Sequence, residues 1–190
     1  MKVLAIDFET ANGSFCSACS IGYCVMNNGE IVEKNEILIR PHPRYGYFSP
    51  DNTRIHGLKK QDCAGADSWP YVFNEIYHLF EDSIVVAHNA PFDLKVLKSI
   101  NALYGIDMAD FPYLDTVYLS RKMFPQLPNH RLNTVCEYLG FQFNHHQAGQ
   151  DAFGCMAIIE AVMEMLNEYD IEQIVKRTGS RLKMFSEINI

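Results

Sequence analysis

The run Ser83-Ile84-Val85-Val86-Ala87 is β-branched and apolar without polar alternation, the pattern of a strand covered on both faces. Such a strand needs a packed layer above and below its sheet, and the element order read along the chain, βββ and then α, β, α, β, α, α, makes the class α/β. Residues 2–8, built around Val3-Leu4-Ala5-Ile6, read as a second buried strand. With 190 residues, 48% of them apolar or aromatic, the chain is long enough for one sizeable core of this kind.

The remaining patterns fill in the layers. Residues 20–26 read as a strand, Asn27-Asn28-Gly29 as a turn, and residues 30–39 as the returning strand of a hairpin. Val72, Phe73, Ile76, Leu79 and Phe80 recur at helical spacing and predict a helix over 69–80. Pro91 opens another helix, which Leu94, Leu97, Ile100 and Leu103 continue and Gly105 stops. Residues 113–116 predict a short strand entering a helix to about Phe124. Helices over 132–139 and about 150–168 follow. Pro41, Pro43, Gly46 and Pro50 mark residues 41–68 as mostly irregular. No linker or internal repeat divides the chain. Residues 1–178 are expected to form one domain, with the tail 179–190 packed on it through Leu182, Met184, Phe185, Ile188 and Ile190.

No apolar run approaches the ~18 residues of a membrane span, and Met1-Lys2 leads straight into a strand without a cleavage pattern. No membrane association and a cytoplasmic location are expected. The six cysteines are dispersed in a chain too large to need staples, which favours reduced thiols. Cys16-x-x-Cys19 has no second pair at zinc-finger spacing, so packing is the preferred reading over zinc. The net charge of −7 argues at first sight against nucleic acid, unless several acids are neutralised by bound cations.

Asp7 and Glu9 end the first strand. Residues two apart on a strand share a face, so both carboxylates can hold one cation. Asp93 falls in the first turn of the helix after residues 83–87, Asp151 opens the long helix, and His146 lies five residues before it. Each has an ordinary alternative: acids crowd exposed strand ends, and helix N-termini favour carboxylates. Taken together, four oxygen-donor carboxylates favour Mg²⁺ or Mn²⁺ over zinc, and two such ions about 3.5–4 Å apart can serve an in-line phosphoryl displacement. A histidine, with an ordinary pKa near ~6.5, can take a proton from water at neutral pH.

Asp7-Phe8-Glu9-Thr10, His88-Asn89-Ala90-Pro91-Phe92-Asp93 and His146-Gln147-Ala148-Gly149-Gln150-Asp151 occur in one order and spacing, with Ile55-His56-Gly57-Leu58 and Leu114-Asp115-Thr116 between them. On these residues the chain resembles the DEDDh (DnaQ-like) class of 3′–5′ exonucleases, the class of the epsilon proofreading subunit of bacterial DNA polymerase III. The resemblance covers about residues 2–168. Gln147 stands where a tyrosine marks the sister class. The first motif continues Thr10-Ala11-Asn12-Gly13 in place of the epsilon subunit's Thr-Thr-Gly, which resembles a separate epsilon-like branch.

The resemblance implies a ribonuclease H-like fold, a central mixed five-stranded sheet flanked by helices. It implies two Mg²⁺ or Mn²⁺ ions on Asp7, Glu9, Asp93 and Asp151, with His146 activating the attacking water. It further implies contacts from Thr10, Ala11, His56, Asn89 and Phe92 to the terminal nucleotide. The activity expected is release of nucleoside 5′-monophosphates from a single-stranded 3′ end, DNA favoured over RNA. The alternative is a non-catalytic nucleic-acid- or polymerase-binding module of the same fold. A DNA polymerase or repair partner is compatible with either, although an enzyme acting alone is the first expectation.

Arg40, Arg44, Arg54, Lys59 and Lys60 interleave with Tyr45, Tyr47 and Phe48. That stretch suits a single strand or, equally, a solvated loop with its aromatics packed on the core.

Overall fold

The structure is a computed structural model that describes residues 1–141 and 147–190. β1 (Lys2–Thr10), β2 (Ala18–Asn27) and β3 (Glu30–Leu38) form an antiparallel meander. Asn28 and Gly29 join β2 to β3 at φ 49° and 86°. Two successive left-handed residues make a turn whose twist matches that of the strands it joins.

The segment 41–68, expected to be mostly irregular, holds a 3-10 turn over Pro43–Tyr45 and two short α-helices, α1 (Pro50–His56) and α2 (Lys60–Cys63). Ser49 starts α1 by accepting from the Asn52 N–H, Pro50 suits its first turn, and Gly57 closes it at φ 80°. Helices of seven and four residues are too short to show apolar periodicity.

α3 (Trp69–Phe80), β4 (Ser83–Ala87), α4 (Ala90–Tyr104), β5 (Pro112–Asp115), α5 (Thr116–Met123), α6 (Leu132–Tyr138) and α7 (Ala148–Leu166) follow. α8 (Ile171–Thr178), beyond the last helix expected from periodicity, is capped by Asp170 accepting from the Glu172 N–H. β6 (Lys183–Met184) follows, and a 3-10 turn over Phe185–Glu187 comes after it. No helix among the described residues is long and apolar enough to cross a membrane.

Among the described residues the sheet runs β3-β2-β1-β4-β5-β6, with β1, β4 and β5 parallel. It is the mixed, helix-flanked sheet expected, with six strands instead of five, because Lys183 and Met184 pair antiparallel with Tyr113 and Pro112. A two-residue strand leaves no alternation to read. Beyond it, Phe185 stacks on Phe111 with centroids 4.6 Å apart, and Lys98 Nζ donates to the Ile188 carbonyl at 2.7 Å.

β4 is buried along its whole length, as its composition requires. On one side of the sheet Leu4, Ile6 and Phe8 pack with Trp69, Val72 and Ile76 of α3 and Leu94 and Leu97 of α4. On the other side Val3 and Ala5 pack with Met156, Ile159 and Val162 of α7. The Leu, Ile, Val, Met and Phe side chains among these contribute about 1.5–3 kcal/mol each when fully buried. Strand alternation therefore carries Asp7 and Glu9, next in line after Val3 and Ala5, onto the α7 side.

Candidate metal centre

Asp7 lies opposite Gly22 of β2, and Gly22 lies opposite Glu36 of β3. A Cβ on Gly22 would fall 2.0 Å from the backbone of Ala148, so the glycine lets the start of α7 rest directly on the sheet. That contact brings Asp151, in the first turn of α7, to the end of β1. Ligand oxygens of Asp7, Glu9 and Asp151 all lie within 4.8 Å of one another, the one such His/Cys/Asp/Glu group among the described residues.

Asp93 stands beside this trio, in the first turn of α4. It is buried, and its Oδ1 accepts the Phe8 N–H at 2.9 Å, which ties α4 to β1 between Asp7 and Glu9. Burial, followed by the charges of Asp93, Asp151, Glu9 and Glu36, pushes Asp7 well above the usual carboxylate range. Burial together with Asp151 and Glu36 pushes Glu9 up to about 8. Burial also pushes Asp93 up to about 8, although N–H groups including that of Phe8 oppose the rise.

Without a counter-charge these acids cannot all ionise near neutral pH; divalent cations would supply it. An all-oxygen donor set of this kind fits Mg²⁺ or Mn²⁺.

A cleft of about 280 Å³ adjoins Glu9, with Thr10, Asn12, Phe15, Ile55, His56 and Phe92 among its walls. Phe15 meets Phe92 edge-on, centroids 6.0 Å apart, and Lys95 Nζ lies 5.7 Å from the centre of the Phe15 ring. The Thr10 carbonyl accepts from Asn52 Nδ2 at 2.9 Å and makes a 3.2 Å contact with His56 Nε2. Because the Leu58 N–H donates to His56 Nδ1, the neutral ring carries its proton on Nε2 and donates it to Thr10. His56 thus shapes the cleft by holding the end of β1.

Ala11 differs from the expectation. It is fully buried, its N–H donates to the Ser17 carbonyl and its carbonyl accepts from the Ser49 N–H, both at 2.8 Å. Its backbone groups are committed within the fold, so the cleft is walled by Thr10 and Asn12 instead. Asn89 occupies the residue before α4 at φ 70° and makes no side-chain cap. Its N–H donates to Asp115 Oδ1 at 3.1 Å, and the same oxygen caps α5 through the Val117 N–H. Asp115 is a cap, and Asn is a residue that tolerates the left-handed turn.

His88 is bound by Thr116 Oγ1 at 3.0 Å and the His130 carbonyl at 2.9 Å, a structural role. His146, expected to take the proton, lies outside the described residues.

Three participants were not legible beforehand. Phe15 sits in the β1–β2 connection, Asn52 in α1, and Glu36 on a partly exposed strand, where each reads as an ordinary surface or loop residue. Of the basic and aromatic stretch, Phe48 packs against the cluster of Ala11, Cys19 and Cys63, while Tyr47 is exposed. All six cysteines are free thiols. A larger cleft of about 960 Å³ opens at the far ends of β4 and β5, around Ser83 and Pro112, and holds none of the clustered carboxylates.

The RNase_T family model, whose description is Exonuclease, matches residues 4–159. The PolC-type DNA polymerase III of Halalkalibacterium halodurans is 32% identical over 149 residues, covering 77% of this chain, and the chain spans only 10% of that relative's length. Among solved structures, Exonuclease X in complex with 5′ overhanging duplex DNA aligns with a TM-score of 0.71 at 22% identity, over 93% of this chain and 99% of that one. The nuclease domain of 3′hExo, a DEDDh family member bound to rAMP, aligns at 0.75 and 17%, over 89% and 94% of the two chains. At these identities the structural matches establish the fold.

Proposed function

Because this chain belongs to the exonuclease family, we propose that it is a metal-dependent 3′–5′ exonuclease that removes nucleoside 5′-monophosphates from single-stranded ends, DNA favoured. The observation that carries this reading is the convergence of Asp7, Glu9 and Asp151 within 4.8 Å beside an aromatic-rimmed cleft. Asp7, Glu9, Asp93 and Asp151 would hold the cations, two ions of Mg²⁺ or Mn²⁺. When bound, such ions stabilise the attacking and leaving oxygens of an in-line displacement. His146 takes a proton from the attacking water, a role suited to an imidazole near neutral pH.

Phe15 and Phe92 offer ring surfaces to unstacked bases, and Lys95 offers a cation to the backbone. Stacking of this kind is tolerant of sequence. The structural neighbours solved with duplex DNA and with rAMP support a nucleic-acid end as substrate and leave the sugar open. The PolC-type relatives, many times longer than this chain, support a polymerase or repair partner as one setting for the activity.

The test is purified protein with Mn²⁺ and matched DNA and RNA strands labelled at the 5′ end. Progressive shortening from the 3′ end, abolished by EDTA, is expected. Intact strands in the presence of bound Mn²⁺ would overturn catalysis and leave a binding module of the same fold.

A further inference from the structure

Glu36, on the outer strand β3, belongs to none of the motifs that mark the metal centre, yet it is bonded on both sides of it. Its Oε1 accepts the Ser20 hydroxyl at 2.9 Å, and Ser20 lies opposite Glu9 on β2. Its Oε2 accepts the Gly149 N–H at 3.2 Å, two residues before Asp151. Gln147, at the N-cap of α7, makes no side-chain cap of its own. The free N–H of the first turn is therefore satisfied from another strand, by a carboxylate that also suits the positive end of the helix. The fit is close: a Cβ on Gly149 would stand 3.0 Å from Glu36 Cβ and 3.4 Å from the Asn35 carbonyl.

We propose that Glu36 is a positioning residue of the metal centre, holding the first turn of α7 against β2 and β3 and so setting where Asp151 stands relative to Asp7 and Glu9. The inference rests on the reading that these acids bind divalent cations. Asp151 is attached to Gly149 through half a helical turn, so displacement of the turn moves its oxygens with it. A metal site tolerates only about 0.5 Å of such movement.

The test compares wild type, Glu36→Ala, Glu36→Gln and Ser20→Ala. It measures Mn²⁺ binding to the metal-free full chain by electron paramagnetic resonance, the metal-free unfolding temperature, and kcat and KM on single-stranded DNA. Glu36→Ala is expected to weaken Mn²⁺ binding about 10–100-fold, the usual effect of losing a group that orients a ligand. It should lower kcat and leave KM near wild type. Glu36→Gln keeps an amide oxygen for the Gly149 N–H and should recover most of the Mn²⁺ affinity. Ser20→Ala should shift affinity in the same direction by less.

Wild-type Mn²⁺ affinity in Glu36→Ala overturns the inference alone. Equal losses in Glu36→Gln and Glu36→Ala also overturn it, assigning the effect to charge. If Glu36→Ala does not fold, Ser20→Ala decides, and wild-type affinity there overturns the inference. A wild-type chain that binds no Mn²⁺ overturns the proposed function and this inference with it.

Discussion

Gly22 and Ala148 approach so closely that a Cβ on the glycine would stand 2.0 Å from the carbonyl carbon and oxygen of Ala148. The clash would be with backbone, which cannot rotate away as a flexible side chain can. Gly22→Ala is therefore expected to cost about 1–3 kcal/mol by overpacking. It should also weaken Mn²⁺ binding, since α7 must lift from the strand pair that carries Asp7. Urea unfolding without metal and a Mn²⁺ titration check both, and a variant with wild-type values in each would refute the account of how Asp151 is placed.

Asp7→Asn should separate stability from activity. Burial and its acidic neighbours make the Asp7 charge costly in the metal-free fold. The metal-free variant should melt at or above the wild-type temperature, gain little from Mn²⁺, and lose about 10³-fold or more in rate. A large metal-free destabilisation would show that the carboxylate is structural.

The raised acids also determine a pH dependence. Glu9 moves from 4.5 to about 8 and Asp93 from 3.8 to about 8, so the folded metal-free chain retains protons that the unfolded chain releases. Their contribution to stability is full below the unfolded values and is lost as pH rises toward about 8. Measured as the difference between wild type and Glu9→Gln, the metal-free melting temperature should decline over that window. Saturating Mn²⁺ should reverse the decline, because bound cations displace the protons. A difference that grows with pH in the metal-free protein would contradict the burial of Glu9 among acids.

Phe15→Ala tests the cleft. Loss of a stacking surface worth about 1–3 kcal/mol should raise KM for single strands roughly 5–150-fold with a smaller change in kcat. An unchanged KM across strand lengths would remove Phe15 from the substrate path.

His146→Ala is expected to cost about 10²–10⁴-fold in rate while Mn²⁺ still binds. Near-wild-type turnover across neutral pH would deny it the role of base.

Periodicity and composition carried most of the fold. The uninterrupted apolar run at 83–87 required covered faces, and the structure covers it with helices on both sides. Asp7 and Glu9 were legible as a pair because strand alternation is local. Elements without a local pattern were not: two-residue β6, four-residue α2, and the commitment of the Ala11 backbone groups to Ser17 and Ser49.

The sequence by itself determined the α/β class and the acids that flank β1, β4 and α7. Short-range spacing places each side chain on a known face or helix end. Only the tertiary structure decided how those ends meet: Gly22 admitting α7 onto the sheet, Asp93 tied to the Phe8 N–H, and Glu36 bonded to Gly149 across 113 residues of chain. Such contacts depend on which strands become neighbours and how near a helix can come, and no local pattern of residue types encodes that.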